Sequence, residues 1–492
     1  MRRERDGGTS RRGIGAGVER RGTGAGLERH GIGAWSARRG VYAAASALLV
    51  LSAAQGLGAV PAAADDGAPG DAAGAPGVWQ PQGKPLAGAA TTADAPAMTS
   101  GVTYRDTIKP GETRMYGITL DAKSSAYASA FALPPAGGRV AYNDGIELKL
   151  MSADGDDCDS EEAHFGDDGA VRPVGTAVTR TVDKDESSCQ EANQYTFAVH
   201  RTSDGSSDPG AWPLELRFVL EPALKAGADG GGAAATGSAS PSPLTSGTPQ
   251  QAAGGTSFAT AAAVKTGIWK DKVLPGETRF YKVPVDWGQQ ATVFTDFSSA
   301  KLVGDSAYVG SGVRLDAYSP VRRFIDGDTH SYDGTQTSLH EQLAPVAYGN
   351  RAADDRDVAE VRFAGWYYFA VTVHPDVAQA VSGPVGVTLR VDVKGGAQAG
   401  PDYAGDARAA GIGVDAHDVA SANGAPQSAA SDGAGESVRR FLGFAAFGAG
   451  TVLLLGLGAW WLAARRRPAA QDTVTQQLPP QSGGFGPPPS SW

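Results

Sequence analysis

The chain has 492 residues and a formal net charge of −10. That is too long for one core and suggests two or three folded units. Residues 1–40 hold ten arginines against four acids, so the remainder is distinctly acidic. An acidic exterior argues against a nucleic-acid partner, which needs a basic surface for phosphate.

Residues 1–64 read as a basic low-complexity segment followed by a signal peptide. The segment repeats Arg12-Gly-Ile-Gly-Ala, Arg21-Gly-Thr-Gly-Ala and His30-Gly-Ile-Gly-Ala. It is either a long basic lead or sequence upstream of the true start. Arg38-Arg39, the apolar run from Val41 to Ala54 and Ala62-Ala63-Ala64 then form an export signal with small-residue cleavage spacing. Residues 65–98 are Ala, Gly, Pro and Asp, the composition of a disordered linker.

Alternating apolar residues mark the first folded unit, 99–224, as β-structure. Tyr116, Ile118 and Leu120 form one face; then come Ile146/Leu148/Leu150, Tyr195/Phe197/Val199 and Leu214/Leu216/Phe218/Leu220. Residues 225–255 form a Gly/Ser/Pro linker. The second unit, 256–394, repeats the order with Tyr281/Val283/Val285, Val313/Leu315/Ala317, Tyr367/Phe369/Val371 and Val385/Val387/Leu389/Val391. Two sandwiches with separate cores follow, held loosely in relative orientation because the linker has no apolar face.

Each unit opens on the same motif. In the first it comprises Asp106, Pro110, Gly111, Glu112, Arg114 and Tyr116; in the second, Asp271, Pro275, Gly276, Glu277, Arg279 and Tyr281. Pro then Gly suits a type II turn, so the motif reads as a hairpin. The Asp/Arg pairs read as structural contacts rather than a ligand-reading pair, and the tyrosines as core.

Residues 395–440 resemble a disordered stalk. Residues 441–464 then run uncharged from Phe441 to Ala464, enough for a transmembrane helix. Arg465-Arg466-Arg467 begin a tail, 465–492, on the cytoplasmic side by the positive-inside rule. The expected topology is a single-pass type I protein of the plasma membrane with its repeats extracellular.

The repeated motif, with the later Tyr-x-Phe-Ala-Val strands, resembles the bacterial pre-peptidase C-terminal domain. The whole layout resembles single-pass surface proteins of Streptomyces-type actinobacteria. The resemblance implies an all-β ectodomain of two tandem jelly-roll-like β-sandwiches, and non-catalytic attachment. No peptidase module is present for such a domain to accompany.

Chemistry-bearing residues are sparse. Cys158 and Cys189, beyond an export signal and in one unit, are read as a mutual disulfide. Asp154, Asp156, Asp157 and Asp159 are weak Ca²⁺ candidates in an acidic loop, but their spacing fails the EF-hand pattern, so a solvated loop is the ordinary reading. No other cofactor is expected. Gly255-Thr256-Ser257-Phe258-Ala259-Thr260 mimics a subtilisin-type serine motif without the Asp and His that such a triad needs. The histidines, including His330, His340 and His374, read as surface residues. The expectation is a non-enzymatic, membrane-anchored surface protein that binds envelope glycan or a surface protein. The alternative is a hydrolase or peptidase-associated protein with an unrecognised site.

Overall fold

The computed structural model describes residues 78–424, apart from 136–137, 167–168, 183–187, 236–239 and 304–307. The expected signal peptide, transmembrane run and cytoplasmic tail lie outside the described residues. Among the described residues no helix is long and apolar enough to cross a membrane.

The described chain is built from β-strands. The first half contains β1 (Lys84–Pro85), β2 (Thr103–Ile108), β3 (Thr113–Leu120), β4 (Ser125–Ala132), β5 (Gly145–Met151), β6 (Asp157–His164), β7 (Val174–Arg180), β8 (Asn193–Thr202) and β9 (Trp212–Glu221). The second contains β10 (Gln250–Gln251), β11 (Ala262–Ala263), β12 (Gly267–Val273), β13 (Thr278–Val285), β14 (Gln290–Phe297), β15 (Val309–Tyr318), β16 (Phe324–Tyr332), β17 (Thr337–Gln342), β18 (Gly365–Val373) and β19 (Val385–Lys394). Three short α-helices, α1 (Arg356–Ala359), α2 (Val377–Ala380) and α3 (Ala416–Ala422), and one 3-10 turn, Tyr348–Ala352, accompany the strands.

Sheet order is duplicated. The first half pairs as β1-β2-β9-β4-β7 and β3-β8-β5-β6; the second as β10-β12-β19-β14-β17 and β11-β13-β18-β15-β16. In each half the two sheets face one another as a β-sandwich. Ile118, Leu148 and Phe197 of one sheet meet Ala128, Leu214 and Leu216 of the other. The second core repeats this with Val283, Leu315 and Phe369 against Val293, Val387 and Leu389. The alternating residues read from the sequence are the inward faces, as the pleat requires.

Register corrects one detail of the repeat. Leu216 pairs with Tyr104 and Leu389 with Trp269, so Leu216 corresponds to Leu389 and not to Val387. A two-residue slip keeps every side chain on the same face, and alternation cannot detect it.

The opening motif is not a hairpin. Its turn is real: Gly111 and Gly276 have φ of 68° and 84°, and Glu112 N–H donates to Lys109 O at 3.1 Å. But β2 and β3 belong to different sheets, so the turn is an arch from one layer to the other. Turn chemistry is local; the partner of each strand is not.

The segments expected to be disordered are ordered where they are described. Within 78–98, β1 pairs in parallel with β2, and Trp79 and Met98 are buried. Within 225–255, β10 pairs with β12, and Ala234 N–H donates to the buried Asn350 Oδ1 at 2.7 Å. Within 395–424, Ile412 is buried, and α3 is held by Trp366 Nε1 donating to Asp418 at 2.8 Å. These stretches have few large apolar residues and dock largely through backbone. Small residues permit that closeness: a Cβ on Gly349 would meet the Gly232 backbone at 2.2 Å. Composition reports the absence of an apolar face, not the absence of hydrogen-bond partners.

The two sandwiches are docked, contrary to the loose arrangement expected. Strand β4 is buried at every position. Ala126, Ala128, Ala130 and Ala132 face their own core, whereas Tyr127 and Phe131 face the second sandwich. Tyr127 meets Phe363 edge-on at 5.0 Å, and Phe131 meets Phe258 at 4.6 Å.

Candidate binding cleft

The repeated motif has a structural task, and it is the same in both copies. A strap precedes each arch and runs from the edge of one sheet to the edge of the other. In the first sandwich Gly88 N–H donates to Asp106 Oδ2 at 2.7 Å, Tyr116 OH donates to the same oxygen at 2.8 Å, and Arg114 Nη1 donates to Gly88 O at 2.8 Å. In the second, Gly254 N–H, Tyr281 OH and Arg279 Nη1 repeat those bonds with Asp271 and Gly254 O at 2.7, 2.6 and 2.8 Å. Glu112 and Glu277 pair with Arg114 and Arg279 at 3.1 and 2.7 Å. Their other oxygens accept from Lys109 and Leu274 N–H across the turn. Burial, reinforced by the aspartate, holds the phenols of Tyr116 and Tyr281 in their neutral form. The motif therefore clamps the strap and shields both sheet edges. The Asp/Arg contacts are structural, but their common partner is a glycine upstream of each expected domain start.

Cys158 and Cys189 are bonded to each other with Cα atoms 5.8 Å apart. The acidic stretch beside Cys158 is only partly a loop. Asp157 and Asp159 lie on edge strand β6, while Asp154 and Asp156 sit in the turn before it. Asp159 Oδ2 accepts from Thr179 N–H and Oγ1 at 2.7 and 3.1 Å, and from Arg323 of the second sandwich at 2.9 Å. Among the described residues no three His, Cys, Asp or Glu side chains already converge as a metal centre. Ser257 of the serine-like motif is fully buried and faces Thr260 Oγ1 at 3.0 Å.

Two arginines in the β15–β16 hairpin lock the sandwiches together. Arg322, in the left-handed region at φ 66°, donates to the buried Glu215 at 2.7 Å. Arg323 reaches Asp159 and Glu161 at 2.9 and 2.5 Å, and Glu360 at 2.8 Å. Further along, buried Glu221 accepts from Tyr127, Arg351 and Tyr403 at 2.8, 2.7 and 2.9 Å. Glu221, with three donors, and Glu215, bonded to Arg322 and to Gln82 N–H, have donors that offset their desolvation. Sequence reading missed these residues. Arg322-Arg323 and the two glutamates on β9 carry no local signal beyond charge within a strand pattern.

Between the docked sandwiches lies a cleft of about 600 Å³. One wall comes from the first sandwich: Trp79, Pro134 and Arg139, with Val171 and Pro173. The other comes from the second: the arch Pro275-Gly276, Thr278, and the turn His374-Pro375-Asp376. The second copy of the motif's turn thus faces the cleft, whereas Pro110-Gly111 faces solvent. Trp79 is 4% exposed and joins the aromatic cluster of Phe131, Phe258 and Tyr318 beneath. His374 is buried, not a surface residue, and its Nδ1 accepts from Asp376 N–H at 3.0 Å. That bond leaves Nε2 as the proton-bearing nitrogen of the neutral ring. Arg139 is exposed, and Asp376 presents a carboxylate that is 61% exposed. Size, a mostly apolar lining and a few fixed polar groups at a domain boundary are the usual attributes of a ligand site.

No family model matches the chain, and no curated protein matches it. Solved structures that align with it include the CUB1-EGF-CUB2 region of human MASP-1/3, at 7% identity and a TM-score of 0.15, covering 59% of this chain and 99% of that one. The CBM22-1-CBM22-2 tandem of Paenibacillus barcinonensis Xyn10C aligns at 8% and 0.17, covering 58% and 84%. The ANXUR2 extracellular domain of Arabidopsis thaliana aligns at 10% and 0.15, covering 61% and 85%. Scores this low assign neither a family nor a ligand.

Proposed function

We propose that the protein is a non-catalytic, membrane-anchored surface protein whose paired, jelly-roll-like sandwiches bind an envelope glycan or surface protein in their shared cleft. The observation that carries this reading is that the cleft has one wall from each sandwich, and buried ion pairs hold those walls in place. Preorganisation of this kind reduces the ordering cost of binding. The Pro275 and Pro375 rings on the cleft wall suit the apolar face of a sugar ring or an extended chain. Arg139, His374 and Asp376 supply donors and acceptors for hydroxyl or carboxylate groups. The anchor and the extracellular placement rest on the uncharged run at 441–464 and the export signal.

The test is binding of the purified full-length chain to cell-wall glycans and envelope proteins, compared with Arg139→Ala and Asp376→Ala. Both residues are exposed, so the fold should tolerate their loss. Loss of a charged contact should weaken binding roughly tenfold, equivalent to about 1.4 kcal/mol. Wild-type affinity in both variants would remove the cleft from the account. Turnover of a bound glycan or peptide would favour the hydrolase alternative.

A further inference from the structure

The strap closes one side of each sandwich, and the opposite side is closed differently in the two copies. That side lies between the outer strands β6 and β7 in the first copy, and β16 and β17 in the second. In the first it carries the Cys158–Cys189 bond. There Asp159 of β6 also bonds Thr179 of β7, and Arg323 neutralises Asp159 and Glu161.

Register identifies the counterparts. Asp159 pairs with Leu150 as Asp326 pairs with Ala317, and Glu161 with Leu148 as Asp328 with Leu315. Val178 pairs with Ala128 as Glu341 pairs with Val293. The second copy therefore keeps both carboxylates, has no cysteine, and places a glutamate where the first buries a valine. Among the described residues no arginine lines the pocket there. Glu341 is 5% exposed, and among the described residues its carboxylate has no hydrogen-bond or ion-pair partner. It lines a pocket of about 220 Å³ with Asp326, Asp355, Asp357, Gln290 and Gln342. Burial pushes its pKa up, and Asp326, Asp328, Asp316 and Asp357 push it further, to about 9. A core carboxyl among carboxylates is costly unless something positive joins it.

We propose that a hard divalent cation of the calcium class binds in this pocket, held by Glu341 of β17, Asp326 of β16 and Asp357 of α1. The donors are all oxygens, with no imidazole or thiolate, which selects Ca²⁺ over softer metals. The carboxylates do not yet converge, so binding draws them together by side-chain rotation. The ion would tie the two sheets at the edge that a disulfide ties in the first copy. It would also fix α1, whose Arg356 reaches Glu161 of the first sandwich at 2.7 Å.

The experiment is calorimetric titration of CaCl₂ and MgCl₂ into the metal-stripped full-length chain, with thermal melts in parallel. Wild type should bind one Ca²⁺ in this pocket and melt roughly 3–6 °C higher at a hundredfold excess over Kd. Glu341→Gln should lose at least tenfold in Ca²⁺ affinity; Asp326→Asn and Asp357→Asn should do the same and stand in if that variant does not fold. Asp154→Asn, in the other acidic turn, should bind as wild type. Absence of Ca²⁺ heat and melting shift in wild type would overturn the proposal. So would unchanged affinity in the pocket variants, or loss confined to Asp154→Asn. Mg²⁺ binding as tightly as Ca²⁺ would overturn the calcium assignment.

Discussion

Gly88 and Gly254 show how much one missing side chain can specify. A Cβ on Gly88 would come within 2.7 Å of the Tyr116 ring, and one on Gly254 within 2.8 Å of the Tyr281 ring. Gly88→Ala should therefore push the strap off its clamp and cost about 1–3 kcal/mol by overpacking, measured by urea denaturation. A wild-type midpoint would show that the strap adapts. Glu341 makes the second residue-scale prediction. Its folded pKa is raised, so the stability it contributes is full below the ordinary glutamate range and is lost as pH rises toward about 9. In metal-free buffer the melting temperature should fall between pH 5 and 9, and Glu341→Gln should flatten that fall. An equal slope in both proteins would show that the carboxyl is not the titrating group.

At the scale of elements, the β15–β16 hairpin matters more than its length suggests. Arg322→Ala would strand Glu215, which is fully buried and otherwise bonded to Gln82 N–H at 2.6 Å. Removing one partner of a buried pair costs about 3–5 kcal/mol. The loss should appear as a split of one calorimetric transition into two, because the docking face weakens before either core does. The disulfide acts on one element pair, β6 and the segment after β7. Its loop spans 31 residues, so reduction should cost the first sandwich roughly 3–4 kcal/mol in the chain-entropy model. A melt unchanged by reductant would mean that the bond adds nothing to the edge contacts already there.

At the scale of the whole molecule, both sandwiches, their straps and the segment through α3 share buried surfaces. Val219 and Tyr127 of the first sandwich pack into the second core, so the intact chain should unfold as one cooperative unit. The boundaries matter for any truncation. A fragment of residues 99–224 lacks Gly88, Trp79 and Met98, whereas 78–224 retains the strap and its clamp. The longer fragment should be more stable by several kcal/mol, on the order of two or three lost buried contacts. Equal stability would remove the strap from the first sandwich's fold.

The strand cores were legible because alternation is a one-dimensional signal: Tyr116, Leu148, Phe197 and Leu216 could be placed from their neighbours alone. The duplication and the cysteine pair were legible for similar reasons. Strand β4 was not, since Ser125–Ala132 is buried on both faces, which leaves no polar phase to read. The arch was mistaken for a hairpin because Pro110-Gly111 specifies a turn but not which sheet each arm joins. The straps and the α3 segment looked structureless because backbone docking leaves no hydrophobic pattern. The cleft and the acidic pocket are decided only by tertiary structure. The cleft gathers Arg139 and His374, and the docking face joins Glu215 to Arg322, residues a hundred or more positions apart, and charge in a chain carries no record of the charge it will face.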